Sequence, residues 1–135
     1  MTAPWDPPPF PPMARFWEAA GRHVLSAPWC DRCAKPVLYP RELCNRCHQP
    51  VAEWRDLSGK GTVYAFGVEH RAWTTAPGLV PPYVVALVEL EEGGRLLTNI
   101  VGADPEAVTV GAPVAVVFQP GPEGRTVPRF ALAGS

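Results

Sequence analysis

The chain reads as a mainly β protein: an N-terminal helix, a four-cysteine ribbon, and five strands forming a small barrel or sandwich. Three observations predict this. All four cysteines, Cys30, Cys33, Cys44 and Cys47, fall in one stretch, CDRCAKPVLYPRELCNRC. Proline occupies 18 of 135 positions, far above the usual share of about 5%, which favours turns and strand ends over long helices. From Asp56 onward, short alternating or apolar runs recur between turn signals, the pattern of a small all-β unit.

Residues 1–27 are expected to form a proline-rich arm and a helix. The first twelve, MTAPWDPPPFPP, should be extended and polyproline-like. In MARFWEAAGRHVL, Met13, Phe16, Trp17, Ala20 and Val24 recur at helical spacing, Pro12 suits the first turn, and Gly21 should end the helix. This apolar face can pack on its own domain or grip a second protein. Trp5, Phe10, Phe16 and Trp17 are the candidate partner anchors.

Residues 28–54 are expected to form the ribbon. The spacing is C-x2-C-x10-C-x2-C. Two thiols three residues apart on a tight turn can face one ion, and two such turns complete a tetrahedron of sulfurs at about 2.3 Å. Zinc is the leading metal and iron fits the same ligands. Disulfides and a dithiol redox pair are the competing readings. The first is disfavoured by an N-terminus with neither a basic start nor an apolar run, which points away from a signal peptide and towards a cytoplasmic setting where thiols stay reduced. The second is disfavoured because Cys33-Ala34-Lys35-Pro36 does not open a helix. Such turns commonly place glycine directly after the second cysteine, with positive φ. Ala34 and His48 stand there instead. Histidine tolerates that backbone moderately and alanine poorly, so the first turn should be distorted. His48 is a turn residue and not a fifth ligand.

Residues 55–135 carry the strands. GTVYAFGVEH alternates, placing Tyr64, Phe66 and Val68 on one face. YVVALVEL is an apolar run fit for a central strand, EEGG a hairpin turn, RLLTNIVG the return. PVAVVFQP and VPRFALA follow, joined by GPEGR. The connection RAWTTAPGLVPP (71–82) is long for a hairpin. Arg71, Trp73 and Leu79 make it a candidate ligand loop, with core cover as the alternative.

Several functions are excluded or disfavoured. With the cysteines committed to metal, no thiol remains as a nucleophile, and neither a Ser-His-Asp nor a Cys-His set can be assembled from His23, His48, His70, Ser26, Ser58 and Ser135. No catalytic residue is assigned; His70, at a strand end, is the one histidine with any claim as an acid or base. No apolar run reaches the length of about 18 residues that spans a bilayer. Metal ribbons and small barrels also occur in single-stranded nucleic-acid binders, but a net charge of −1 and scarce basic residues after residue 60 argue against a basic groove. An electron carrier would leave the strand region without a role.

Taken in order, CDRC…CNRC, SGKGTVYAF (58–66), PPYVVALVELEEGGRLLTNIVG (81–102), VGAPVAV (110–116) and PRF (128–130) resemble a known family. These are the zinc-ribbon/OB-fold proteins long classed as a domain of unknown function, which accompany thiolases and thiolase-like aldolases. The likeness runs from Phe16 to Phe130; Ala34, His48 and YPREL depart from the family's pattern. It implies a rubredoxin-like zinc ribbon and a five-stranded OB-fold barrel. It also implies a non-catalytic subunit of a thiolase or retro-aldolase, in some systems one acting on steroid side chains. The CoA thioester would be held through the partner complex, expected as a heterotetramer without nucleic acid or membrane.

Overall fold

A computed structural model of the chain describes residues 13–71, 79–121 and 124–133. The helix α1 spans Ala14–Gly21 and buries Phe16, Ala19 and Ala20, residues three and four apart on one face. On the solvent side Arg22 Nε donates to Glu18 Oε1 at 2.9 Å. Gly21 is its last residue, yet the left-handed turn that closes the helix falls on His23, at φ 61°. The His23 and Val24 amides donate to the carbonyls of Ala20 and Ala19, both at 2.9 Å, which satisfies two carbonyls the helix leaves open. Val24 therefore lies past the helix end, off the apolar face the spacing gave it.

The ribbon follows as a three-stranded sheet. β1 (Ser26–Cys30) lies between β2 (Lys35–Pro36) and β3 (Trp54–Asp56), antiparallel to both. Its pairing partners Trp29↔Pro36 and Cys30↔Lys35 fix the first cysteine turn against the strand that carries it. A bridge between Leu43 and Pro50 closes the second turn.

The remaining strands form a closed five-stranded barrel, the OB arrangement. β4 (Lys60–Glu69), β5 (Tyr83–Leu90), β6 (Arg95–Ile100), β7 (Pro113–Pro120) and β8 (Thr126–Leu132) follow the order β4-β5-β6-β8-β7, with β7 returning to β4. Every pairing is antiparallel except β6 with β8, which meet at Ile100↔Phe130. In the β5–β6 turn Gly93 stands at φ 107°, where a side chain would be strained. Alternation along β5 is strict, with Val84, Ala86, Val88 and Leu90 buried.

β4 departs from the alternation. Val63 pairs with Val88 and Ala65 with Leu87, so Tyr64 is an extra residue in a bulge. The slip puts Val63 in the core at 1% exposure and turns Tyr64 out at 47%, with the Arg95 guanidinium 3.8 Å above its ring. Phe66 and Val68 still share a face, opposite Ala86 and Val84; Tyr64 does not join them. A one-residue insertion inverts the face of all that precedes it.

One core runs through these elements. Phe16 of α1, Leu25, Ala27 and Leu57 pack in the same buried cluster as Val63, Val88, Ile100, Val114 and Phe130 of the barrel. A second, smaller cluster holds Cys30, Val37 and Cys44. Among the described residues no helix is long and apolar enough to cross a membrane.

Candidate metal centre and its surroundings

The four cysteines meet at one point. Their sulfurs all lie within 4.8 Å of one another; Cys30 and Cys47 approach to 3.6 Å and Cys33 and Cys44 to 3.9 Å. Sulfurs at about 2.3 Å around a tetrahedral ion stand about 3.8 Å apart. The sulfur cage thus has the size of a tetrahedral thiolate site. Cys30 and Cys44 are buried, Cys33 and Cys47 half-buried, so the site is closed on one side and reachable from the other.

Local backbone geometry makes the cage. Ala34 and His48, each directly after the second cysteine of its pair, adopt φ 55° and 64°. The alanine turn is therefore regular, against the expectation of distortion, and carries its cost as strain instead. The His48 amide donates to the Cys44 carbonyl at 2.9 Å and the Cys44 amide to the Gln49 carbonyl at 2.9 Å. The Arg46 amide points at Cys44 Sγ, 3.4 Å away. The Cys47 amide, with that of Arg46 and the neighbouring thiols, holds the Cys44 thiol low, at about 6, against the opposing effect of burial. Amides aimed at sulfur stabilise thiolate, the form a metal requires. Arg46 Nη2 also donates to the Pro36 carbonyl at 3.0 Å, tying the two turns together. His48 is exposed and stands outside the ligand group.

The ribbon is fastened to the barrel by a residue the sequence did not single out. The Tyr39 hydroxyl accepts from the Leu97 amide at 2.6 Å and lies 3.5 Å from the Leu97 carbonyl. Leu97 sits on the side of β6 where pairing to β8 is confined to Ile100, so Tyr39 covers backbone groups that no strand satisfies. Burial raises the hydroxyl's pKa, partly offset by the bond to Leu97.

The other candidate residues are scattered. Phe16 is 4% exposed and packs edge-on to Trp17 with ring centres 5.2 Å apart. Its ring fills the chain's own core, so it is not a free anchor. Trp17 is half-buried, under the Arg125 guanidinium at 5.5 Å. Trp5 and Phe10 lie outside the described residues, as does Trp73. His70 lines a cavity of about 440 Å³ at the barrel's edge with Phe66, Val68, Pro82, Asp104 and Val108. Leu79 lines a smaller one of about 140 Å³ with Val80, Tyr83 and Ile100. Arg71 is exposed and lines neither.

Fold and site together define a four-cysteine metal ribbon joined to an OB barrel. Residues 54–119 match the family model described as "ChsH2, C-terminal OB-fold domain". A DUF35 domain-containing scaffold protein of Methanocaldococcus jannaschii is 38% identical over 99 residues, covering 73% of this chain and 70% of that protein. The chain belongs to the DUF35 family. Two longer relatives share it in part. A probable enoyl-CoA hydratase alpha subunit of Thermomonospora curvata is 36% identical over 116 residues, which cover 85% of this chain and 36% of the relative. The 3-oxo-4,17-pregnadiene-20-carboxyl-CoA hydratase alpha subunit of Mycobacterium tuberculosis is 49% identical over 61 residues, covering 45% of this chain and 19% of that one. The chain thus spans about a third of the first and a fifth of the second. Among solved structures, "Ltp2-ChsH2(DUF35) aldolase" superposes with a TM-score of 0.82 at 33% identity, covering 96% of this chain and 100% of that one.

Proposed function

We propose that this protein is a non-catalytic subunit of a thiolase-like enzyme acting on acyl-CoA thioesters, a thiolase or a retro-aldolase, which it stabilises and whose acyl-CoA site it helps to shape. The observation that carries this reading is the match to the DUF35 chain of an aldolase over that chain's whole length. Two further facts support it. Relatives are named as alpha subunits and scaffolds, and the four thiols are gathered into one cage and so are spent on structure. The name of the mycobacterial relative favours a steroid-derived acyl group. We assign zinc to the cage, where it would contribute folding free energy and no chemistry. The assembly we expect is a two-fold heterotetramer with two copies of each subunit, in the cytoplasm, where the thiols stay reduced.

The test is co-expression with a thiolase-like subunit, size-exclusion chromatography, and an acyl-CoA assay of each component alone and together. The expected result is a stable complex, and no turnover by the isolated chain. Turnover of acyl-CoA by the isolated chain would sink the proposal.

A further inference from the structure

Phe66 is an inward-facing aromatic that the barrel leaves uncovered. It pairs with Ala86, which is buried at 1% exposure, and residues paired across neighbouring strands point to the same face. Phe66 therefore faces the barrel interior, yet it is 36% exposed. Small barrels ordinarily fill their inward positions with packed side chains. Here the interior opens toward the β6–β7 connection, which carries only a three-residue 3-10 helix, Pro105–Ala107. Pro105 and the buried Val108 line a cavity of about 440 Å³ together with Phe66 and Val68. The helix α1 packs on β1 and β8 and lines no part of it.

That volume lies within the range of about 300–1,000 Å³ typical of small-molecule sites, which are mostly apolar with a few polar groups. The polar groups here are His70, Asp104 and Glu106, all exposed at the rim. The Glu106 amide donates to Asp104 Oδ1 at 2.9 Å, which holds that carboxylate in place. No described lining residue is lysine or arginine, and neither carboxylate belongs to an ion pair of the described residues. Exposed carboxylates alone are ordinary surface. Above an uncovered ring at the mouth of a cavity they select for charge, because the face of an aromatic ring also attracts a cation, within about 6 Å of its centre.

We propose that the barrel mouth is a binding site for a small organic cation, an ammonium group on an apolar body. The body lies against Val68, Val108 and the Phe66 ring, and the ammonium stays at the rim with the carboxylates of Asp104 and Glu106. The site belongs to this chain alone and does not depend on the reading of the chain as a subunit.

The experiment is an NMR titration of the full chain with phenethylamine, phenethyl alcohol and phenylacetate. These carry a cation, a neutral hydroxyl and an anion on the same ring. The amine should move the backbone amides of Phe66, Val68, Glu106 and Val108, and should bind about tenfold more tightly than phenylacetate. Phe66→Leu, which keeps an apolar side chain but removes the ring, should weaken the amine about fivefold. Glu106→Gln, at an exposed position, should weaken it about threefold and flatten its salt dependence. Phenylacetate binding as tightly as the amine overturns the cationic class, and wild-type affinity in Phe66→Leu overturns the placement. Amides unmoved by all three probes overturn the site. So do amides that move only when the thiolase-like subunit is added, which would mark the mouth as a protein contact.

Discussion

Replacing Ala34 with glycine should make the protein more stable. At φ 55° the alanine Cβ crowds its own backbone, at a cost of about 1–2 kcal/mol for an L-residue in this region. Glycine removes that cost but gives the unfolded chain more freedom, worth about 0.4–1 kcal/mol in the opposite direction. The net gain is about 0.5–1 kcal/mol, or a rise of about 2–4 °C in melting temperature for a chain of this size. His48 is the internal control. It has nearly the same backbone, φ 64°, but histidine is among the residues that tolerate it better, so His48→Gly should gain less. The assay is thermal unfolding at one fixed excess of zinc, with metal content measured for each variant, since bound metal itself shifts the transition. An unchanged or lower melting temperature for Ala34→Gly, or a larger gain for His48→Gly, would refute the strain argument.

Other outcomes follow from the same geometry. Cys44→Ser should release the metal and open residues 28–52 to protease while β5 stays protected in hydrogen exchange; retained stoichiometric metal would contradict the four-thiol cage. Gly61→Ala should destabilise by about 1–3 kcal/mol, because a Cβ there would stand 2.5 Å from the Glu89 carbonyl oxygen across the β4–β5 ladder; denaturant titration measures it, and a neutral result would mean the strands part more easily than their register implies. Phe16→Ala should cost about 3–5 kcal/mol in the free chain, and a free chain of wild-type stability would return Phe16 to the partner surface. Tyr39→Phe should cost about 1 kcal/mol through the orphaned Leu97 amide, measured by the same titration, with metal content unchanged; no loss would mean water replaces the hydroxyl.

The sequence carried the local parts of this structure well. Two C-x2-C pairs with a turn residue after each identify Ala34 and His48 as the positive-φ positions from spacing alone, and all five barrel strands are written as apolar or alternating runs between turn residues. What it did not carry depends on pairing between distant segments. The bulge at Tyr64 is set by the register of β4 on β5, and no residue in GTVYAFG announces it. Tyr39 carries no signal in the sequence, because its partner, Leu97, lies 58 residues away. The enclosure of Arg129 is visible only in three dimensions. Phe16 could be core or anchor by periodicity, and the packing around it decided for core.

Tyr39 has a meaning beyond fastening. It caps a strand edge, and it belongs to the loop joining the two cysteine turns, whose shape a bound metal would maintain. A chain that emerges from synthesis without metal would be left with a slack loop and a bare β6 edge, and bare edges recruit other strands. Metal supply would then act as a checkpoint on whether newly made copies stay separate or stick to one another. Light scattering of freshly refolded protein with and without chelator reports this, and equal scattering in both would remove the checkpoint. On this view a bound ion would govern how many copies survive to meet a partner.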